Sequence, residues 1–63
     1  MSFHLGQVFE WIEHGEERQA LVLRIRNGGQ EAFLRYVDTR VEEWVEWSEF
    51  QKSGKWKWVG GER

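Results

Sequence analysis

An Asn-Gly pair between two runs of β-forming residues leaves a chain little choice but to fold back on itself. Here Asn27-Gly28-Gly29-Gln30 separates Arg18–Arg26, RQALVLRIR, from Glu31–Val37, EAFLRYV. Asn and Gly accept the positive φ angles of a type I′ turn, whose twist matches that of the strands it joins. The two runs are therefore expected to pair as an antiparallel hairpin. In the second run Ala32, Leu34 and Tyr36 share one face, and Phe33, Arg35 and Val37 share the other. In the first run the alternation slips, because Ala20 and Val22 have one parity while Leu23 and Ile25 have the opposite one. A β-bulge near Val22-Leu23 brings both pairs to the same side and bends the strand.

The rest of the chain repeats this grammar of short alternating runs and polar turns. Leu5–Glu13 reads as a first strand, with Val8 and Ile12 on one face and Phe9 and Trp11 on the other, followed by a polar connection at His14-Gly15-Glu16-Glu17. Asp38-Thr39-Arg40 leads into a fourth strand, Val41–Trp47. Ser48-Glu49-Phe50-Gln51 suits one turn of 3₁₀ helix, with Ser48 as its cap and Phe50 as a plug. Lys52-Ser53-Gly54 then turns the chain into a fifth strand, Lys55–Val59, and Gly60–Arg63 is expected to fray. A helix over Val41–Gln51 has Glu42, Glu43, Glu46 and Glu49 in its favour. The surrounding aromatic and β-branched residues and the missing N-cap oppose it. The expected fold is all-β, a single domain over residues 1–63 with the plan of a five-stranded SH3-like barrel and a short 3₁₀ turn before the last strand.

A chain of 63 residues is near the lower limit at which apolar burial outweighs chain entropy. With no cysteine, neither a disulfide nor a thiolate zinc site can help. Five Trp and four Phe take over that role, each removing roughly 150–250 Å² from water when buried. The formal charge of −2 argues against a general affinity for phosphate backbones and favours a basic partner. No apolar run approaches the length of a membrane span, and MSFHLGQ has neither the basic start nor the apolar core of a signal peptide. An intracellular, reducing compartment is the expectation.

The succession GQVFEW, RQALVLRIR, AFLRYVD and EEWVEWSEF, from Gly6 to about Phe50, resembles Tudor and chromo-barrel domains. The most specific piece is Tyr36-Val37-Asp38 followed by Glu43-Trp44-Val45 and Ser48-Glu49-Phe50. The resemblance implies a non-catalytic module that holds a methylated lysine or arginine side chain in a cage of aromatic faces, through cation–π attraction. On that resemblance Tyr36 matches a cage position and Trp11 falls near another. The chain departs from the pattern at Arg18, where an aromatic often opens the second strand, and at Thr39 and Arg40 after the third. Arg18 or Arg40 at the rim is expected to repel a cationic guest.

The residues add to this picture. If Val45 points inward, Trp44 points outward beside Glu42 and Glu46, where a basic group can meet it. The expected ligand site is therefore Trp11, Tyr36, Asp38, Glu42, Glu43 and Trp44, the carboxylates supplying favourable potential for a basic or methylated protein or peptide. A competing expectation is an adaptor that binds a protein partner, or itself as a weak homodimer, through Leu21, Phe33, Trp56 and Trp58. In that scheme Leu21 and Phe33 lie outside, and Trp56 or Trp58 either lids them or leaves them for a partner. Lys52, Lys55 and Lys57 interleaved with Trp56 and Trp58 support a further alternative, stacking of single-stranded nucleic acid. Catalysis has little basis: His4 and His14 lack a carboxylate or nucleophile at motif spacing, and Glu42-Glu43 lie on opposite faces of one strand. No metal or cofactor is expected.

Overall fold

In a computed structural model that describes residues 2–52 and 54–61, five strands and one short helix follow one another. They are β1 (Val8–Glu13), β2 (Glu16–Arg26), β3 (Glu31–Tyr36), β4 (Glu42–Glu46), α1 (Trp47–Lys52) and β5 (Lys57–Gly60). All pairings are antiparallel and the sheet order is β4-β3-β2-β1-β5. The last strand thus returns beside the first. The sheet stays open, because β4 and β5 are its two edges and are not bonded to each other. The helix that links these edges turns Phe50 inward, against Phe9 at 4.9 Å, Phe3 at 5.2 Å and Trp56 at 5.4 Å between ring centroids.

Strand parity sets the core as the alternation requires. Phe9, Ala20, Val22, Ala32 and Leu34 are buried on one face of the sheet, with Phe3 and Phe50 closing over them. Ala20 stands opposite Phe9 and Tyr36, and Val22 opposite Leu34. The β2–β3 ladder shifts between Val22 and Arg24, so Leu23 is the extra residue of the bulge and Ile25 comes to stand opposite Ala32. Val45 also faces Ala32, while Phe33 and Trp44 oppose each other on the outer side.

The turn between β2 and β3 has the expected left-handed residues, Asn27 at φ 54° and Gly28 at φ 65°. Gln30 N donates to Asn27 O at 3.2 Å across Gly28 and Gly29, the latter at φ 89°, so the two central positive-φ residues of the turn are Gly28 and Gly29, one position on from the expected Asn-Gly pair. That conformation points the Gly29 carbonyl at the amide of Phe3, which donates to it at 2.7 Å. A Cβ on Gly29 would lie 2.6 Å from the Phe3 carbonyl oxygen, so this close approach requires glycine.

The N-terminal segment corrects the reading that strand one begins at Leu5. Paired residues start at Val8, and before them the chain crosses β2, with Gly6 N donating to Val22 O at 3.1 Å and Val22 N to Gln7 O at 3.0 Å. Phe3 is thereby carried into the core with 1% exposure, while Leu5 is left 52% exposed. The buried Gln7 side chain accepts from the amide of His4 at 2.7 Å, which meets its need for a partner.

At the other end α1 is a six-residue α-helix from Trp47, longer than the expected 3₁₀ turn, and Ser48 lies inside it instead of capping it. Its entry is fixed by Trp47 N donating to Gln30 O at 2.7 Å, and Glu49 in the first turn and Lys52 in the last complement its dipole. The helix does not extend back to Val41, since Glu42–Glu46 pairs with β3. Gly54 N donates to Gln51 O at 3.0 Å in the expected turn, of which Ser53 lies outside the described residues. Gly60 belongs to the sheet opposite Val8 and not to a frayed end, and Gly61 packs directly on Gly6 and Gln7. Glu62 and Arg63 lie outside the described residues. The radius of gyration, 10.8 Å, is that of a compact chain of this length, about 10.6 Å. Among the described residues no helix is long and apolar enough to cross a membrane.

Candidate functional site

At the end of the sheet that carries the β1–β2 turn and the β3–β4 connection, the core face does not close. Trp11, Arg18, Tyr36, Thr39, Val41, Glu43 and Trp56 line a hollow of about 350 Å³ there. Register brings them together. Trp11 follows Phe9 on the core face, Tyr36 follows Ala32 and Leu34, and Arg18 stands directly opposite Trp11. The two-residue turn at His14 and Gly15, both at positive φ, fixes that last pairing. Trp56 comes from the segment entering β5 and forms the floor, stacked on Phe50 with 13° between ring planes. Its centroid is 5.4 Å from Trp11 and 6.0 Å from Tyr36.

Charged groups complete the hollow. The Tyr36 hydroxyl donates to Glu43 Oε2 at 2.6 Å. Partial burial of the ring, that hydrogen bond and the negative charge of Glu43 push the Tyr36 hydroxyl well above the usual tyrosine range, with Arg18 opposing them. The Arg18 guanidinium lies on the rings, its Cζ 5.5 Å from the Trp11 centroid and 5.7 Å from that of Tyr36, and its Nε donates to Asp38 Oδ2 at 3.1 Å. Lys55 Nζ is 4.7 Å from the Trp11 centroid. Cations thus already lie on two of the three rings.

Of the six residues expected to form one site, the structure brings Trp11, Tyr36 and Glu43 together, and Asp38 joins them at the rim through Arg18. Glu42 and Trp44 are not part of this group. By register they lie on the outer face, where Arg35 Nε donates to Glu42 Oε2 at 2.8 Å. Trp44 packs on Phe33 at 5.4 Å with the Arg26 guanidinium 4.0 Å above its ring. Arg26 is anchored by Glu31, whose carboxyl it holds below the usual carboxylate range by hydrogen bonding. The parity that turns Trp44 outward as expected therefore also removes it from Tyr36.

The alternative patch of Leu21, Phe33, Trp56 and Trp58 is likewise divided. Leu21 and Phe33 are outer-face residues, and Trp44 is the ring that covers Phe33. Trp58 stands opposite Phe9 on the core face, with its indole Nε1–H donating to Gly60 O at 2.8 Å, and Trp56 floors the hollow. Neither tryptophan lids the outer residues, because β5 pairs with β1 in a register that turns both toward the core side. Sequence reasoning thus missed Trp56 as a wall of the hollow, whereas Arg18, expected at the rim, does stand beside it, with its guanidinium over the Trp11 and Tyr36 rings. Arg40, the other expected rim cation, is not among the lining residues. The strict alternation Lys55-Trp56-Lys57-Trp58 was the signal available for Trp56, but it gives parity without naming the neighbouring strand.

Among the described residues no group of three or more His, Cys, Asp or Glu is placed to hold a metal ion. Comparison with protein-family models, with curated proteins and with solved structures gives no match. The functional reading rests on the hollow itself.

Proposed function

We propose that this domain is a non-catalytic recognition module that takes a cationic side chain of a basic protein or peptide, methylated or unmodified, into the hollow walled by Trp11, Tyr36 and Trp56. In this reading the open sheet is a variant of the SH3-like barrel plan, used in the manner of the Tudor and chromo-barrel domains that the sequence resembles. The observation that carries it is the position of the Arg18 guanidinium over the Trp11 and Tyr36 rings. It supports the reading because a positively charged head group of ordinary side-chain size fits there and gains from both ring faces, each contact worth about 0.5–1 kcal/mol at an exposed site. Glu43 and Asp38 add negative potential beside it, and a hollow of about 350 Å³ has room for one head group. The formal charge of −2 favours the approach of a basic partner.

Amide and indole chemical shifts measured during titration with two short peptides, one carrying trimethyl-lysine and one dimethylarginine, test the proposal. Shifts are expected at Trp11, Arg18, Tyr36 and Trp56. An absence of saturable shifts with both peptides, or shifts confined to Phe33 and Trp44 on the outer face, overturns it.

A further inference from the structure

We infer that Arg18 is a built-in occupant of the hollow, so that a cation from outside binds by displacing it. The inference rests on the recognition reading above and adds how that site is regulated. Arg18 is held in place by three modest contacts: the Trp11 ring at 5.5 Å, the Tyr36 ring at 5.7 Å and the Asp38 carboxylate at 3.1 Å. Its tether is short, since its backbone stands directly opposite Trp11 on β2, and the guanidinium competes as an intramolecular ligand at high effective concentration. None of the contacts is sealed from water. The Arg18 and Asp38 side chains remain 32% and 41% exposed, so their ion pair is of the weak, solvent-screened kind and can open without unfolding the domain.

The chemistry at the rim matches an exchange. When Arg18 swings out it releases its places on the Trp11 and Tyr36 rings and the Asp38 carboxylate, the groups that an entering cation uses, while Lys55 keeps its own contact with Trp11. The protein then swaps one charge-paired cation for another and buries no unpaired charge. Arg26 shows a different arrangement on the outer face. It also lies over a ring, but its guanidinium is held by two hydrogen bonds from Nε and Nη2 to Glu31, whereas Arg18 is joined to Asp38 through Nε. Arg18 is therefore the more easily displaced of the two.

A site whose competent, empty state is only a minor fraction binds more weakly by that fraction, so removing the Arg18 charge, the one shared by both the Trp11 and Tyr36 rings, must strengthen binding. Calorimetric titration of the wild type and of Arg18→Met with the same dimethylarginine peptide tests this, with thermal melting to show that both are folded. Methionine keeps an apolar stem without the charge. Arg18→Met is expected to bind about ten-fold more tightly, the factor that two exposed cation–π contacts and one surface ion pair supply together. In parallel, proton NMR of the Arg18 δ-methylene and Nε–H in the wild type should show ring-current shifts in the free protein that disappear as the peptide saturates. If the wild type binds and Arg18→Met binds equally or less well, the displacement idea fails while the recognition reading stands. Arg18 signals at ordinary positions in the free protein also overturn it. If neither protein binds either peptide the recognition reading fails, and displacement with it; ring-shifted Arg18 signals would then mark a permanent structural contact.

Discussion

Replacing Phe3 by alanine is expected to remove most of the stability of this domain, although Phe3 lies outside every regular element. Phe3 is 1% exposed and its ring meets Trp47 at 4.9 Å, Phe50 at 5.2 Å and Phe9 at 6.0 Å, so it joins the N-terminal segment, α1 and β1 in one aromatic cluster. Truncating a buried Phe to Ala costs about 3–5 kcal/mol, the transfer of the ring plus the cavity it leaves. A chain of 63 residues at about 0.05–0.15 kcal/mol per residue has roughly 3–9 kcal/mol in all. Leu5→Ala, two residues away at a half-exposed site, should change stability by no more than about 0.5 kcal/mol. Urea titration followed by tryptophan fluorescence reads both. With a slope of about 1 kcal/mol per molar for a domain this small, Phe3→Ala should lower the midpoint by about 3 M or abolish the folded baseline, and Leu5→Ala should leave it nearly unmoved. Equal midpoint shifts for the two variants would refute the reasoning, because Phe3 would then contribute no more than a surface residue.

Tyr36 is the only tyrosine, so tyrosinate absorbance reports it alone, and it should titrate well above a free tyrosine. Glu43→Gln should bring it part of the way down, since burial, the largest cause, remains. The folded chain holds this proton more tightly than the unfolded chain, so the associated stability is complete below about pH 10 and is lost as pH rises further. Chemical denaturation across that range should show a steeper alkaline loss for the wild type than for Tyr36→Phe. Ending the chain after Phe50 removes Trp56 and β5 and should leave no cooperative unfolding transition by circular dichroism, because the stacked partner of Phe50 and the ladder beside β1 go together. Gly29→Ala should cost more than about 1 kcal/mol and more than Gly28→Ala in the same denaturation assay. Both positions have positive φ, but only at Gly29 does the new Cβ run into backbone, at Phe3 O.

The parts of this fold that were legible in the sequence are those governed by local period. The division of β1 and β3 into two faces, the bulge after Val22 and the opposite directions of Val45 and Trp44 all follow from alternation, because a strand has only two sides. What could not be read depends on pairing across the chain. Alternation gave Trp56 and Trp58 a common face, but only the position of β5 beside β1 turns that face toward the core. The contact between Arg18 and Trp11 depends on β2 starting at Glu16 after a two-residue turn, where the polar composition suggested a loop running on through Glu17. Phe3 precedes any periodic run, and its burial follows from a tertiary hydrogen bond to Gly29 that no local pattern announces. The sheet stays open for a related reason: the chain leaves β4 at Glu46 and spends Trp47–Lys52 in a helix, so Phe50 lies over the core as a plug without the two edges meeting.

The same rings stabilise the domain and shape the hollow, and this decides which substitutions are informative. Trp56 is stacked on Phe50 and also lines the site, so Trp56→Ala removes a wall and a piece of the core at once. In a domain with only a few kcal/mol in total, a loss of binding in that variant says nothing about contact. Trp11 and Tyr36 lie between these limits, since each touches Trp56 while reaching the open side. Arg18, Asp38 and Glu43 sit at the rim, where substitutions usually shift stability by no more than about 0.5 kcal/mol. Arg18 and Asp38 meet there in a solvent-exposed ion pair. On the recognition proposal, selectivity among cationic guests is then set at the rim, where charge can change at little cost to the fold, and the aromatic walls can vary little. Arg18 is the position at which that logic gives the sharpest sign, since its removal should raise affinity where removal of any wall should lower it.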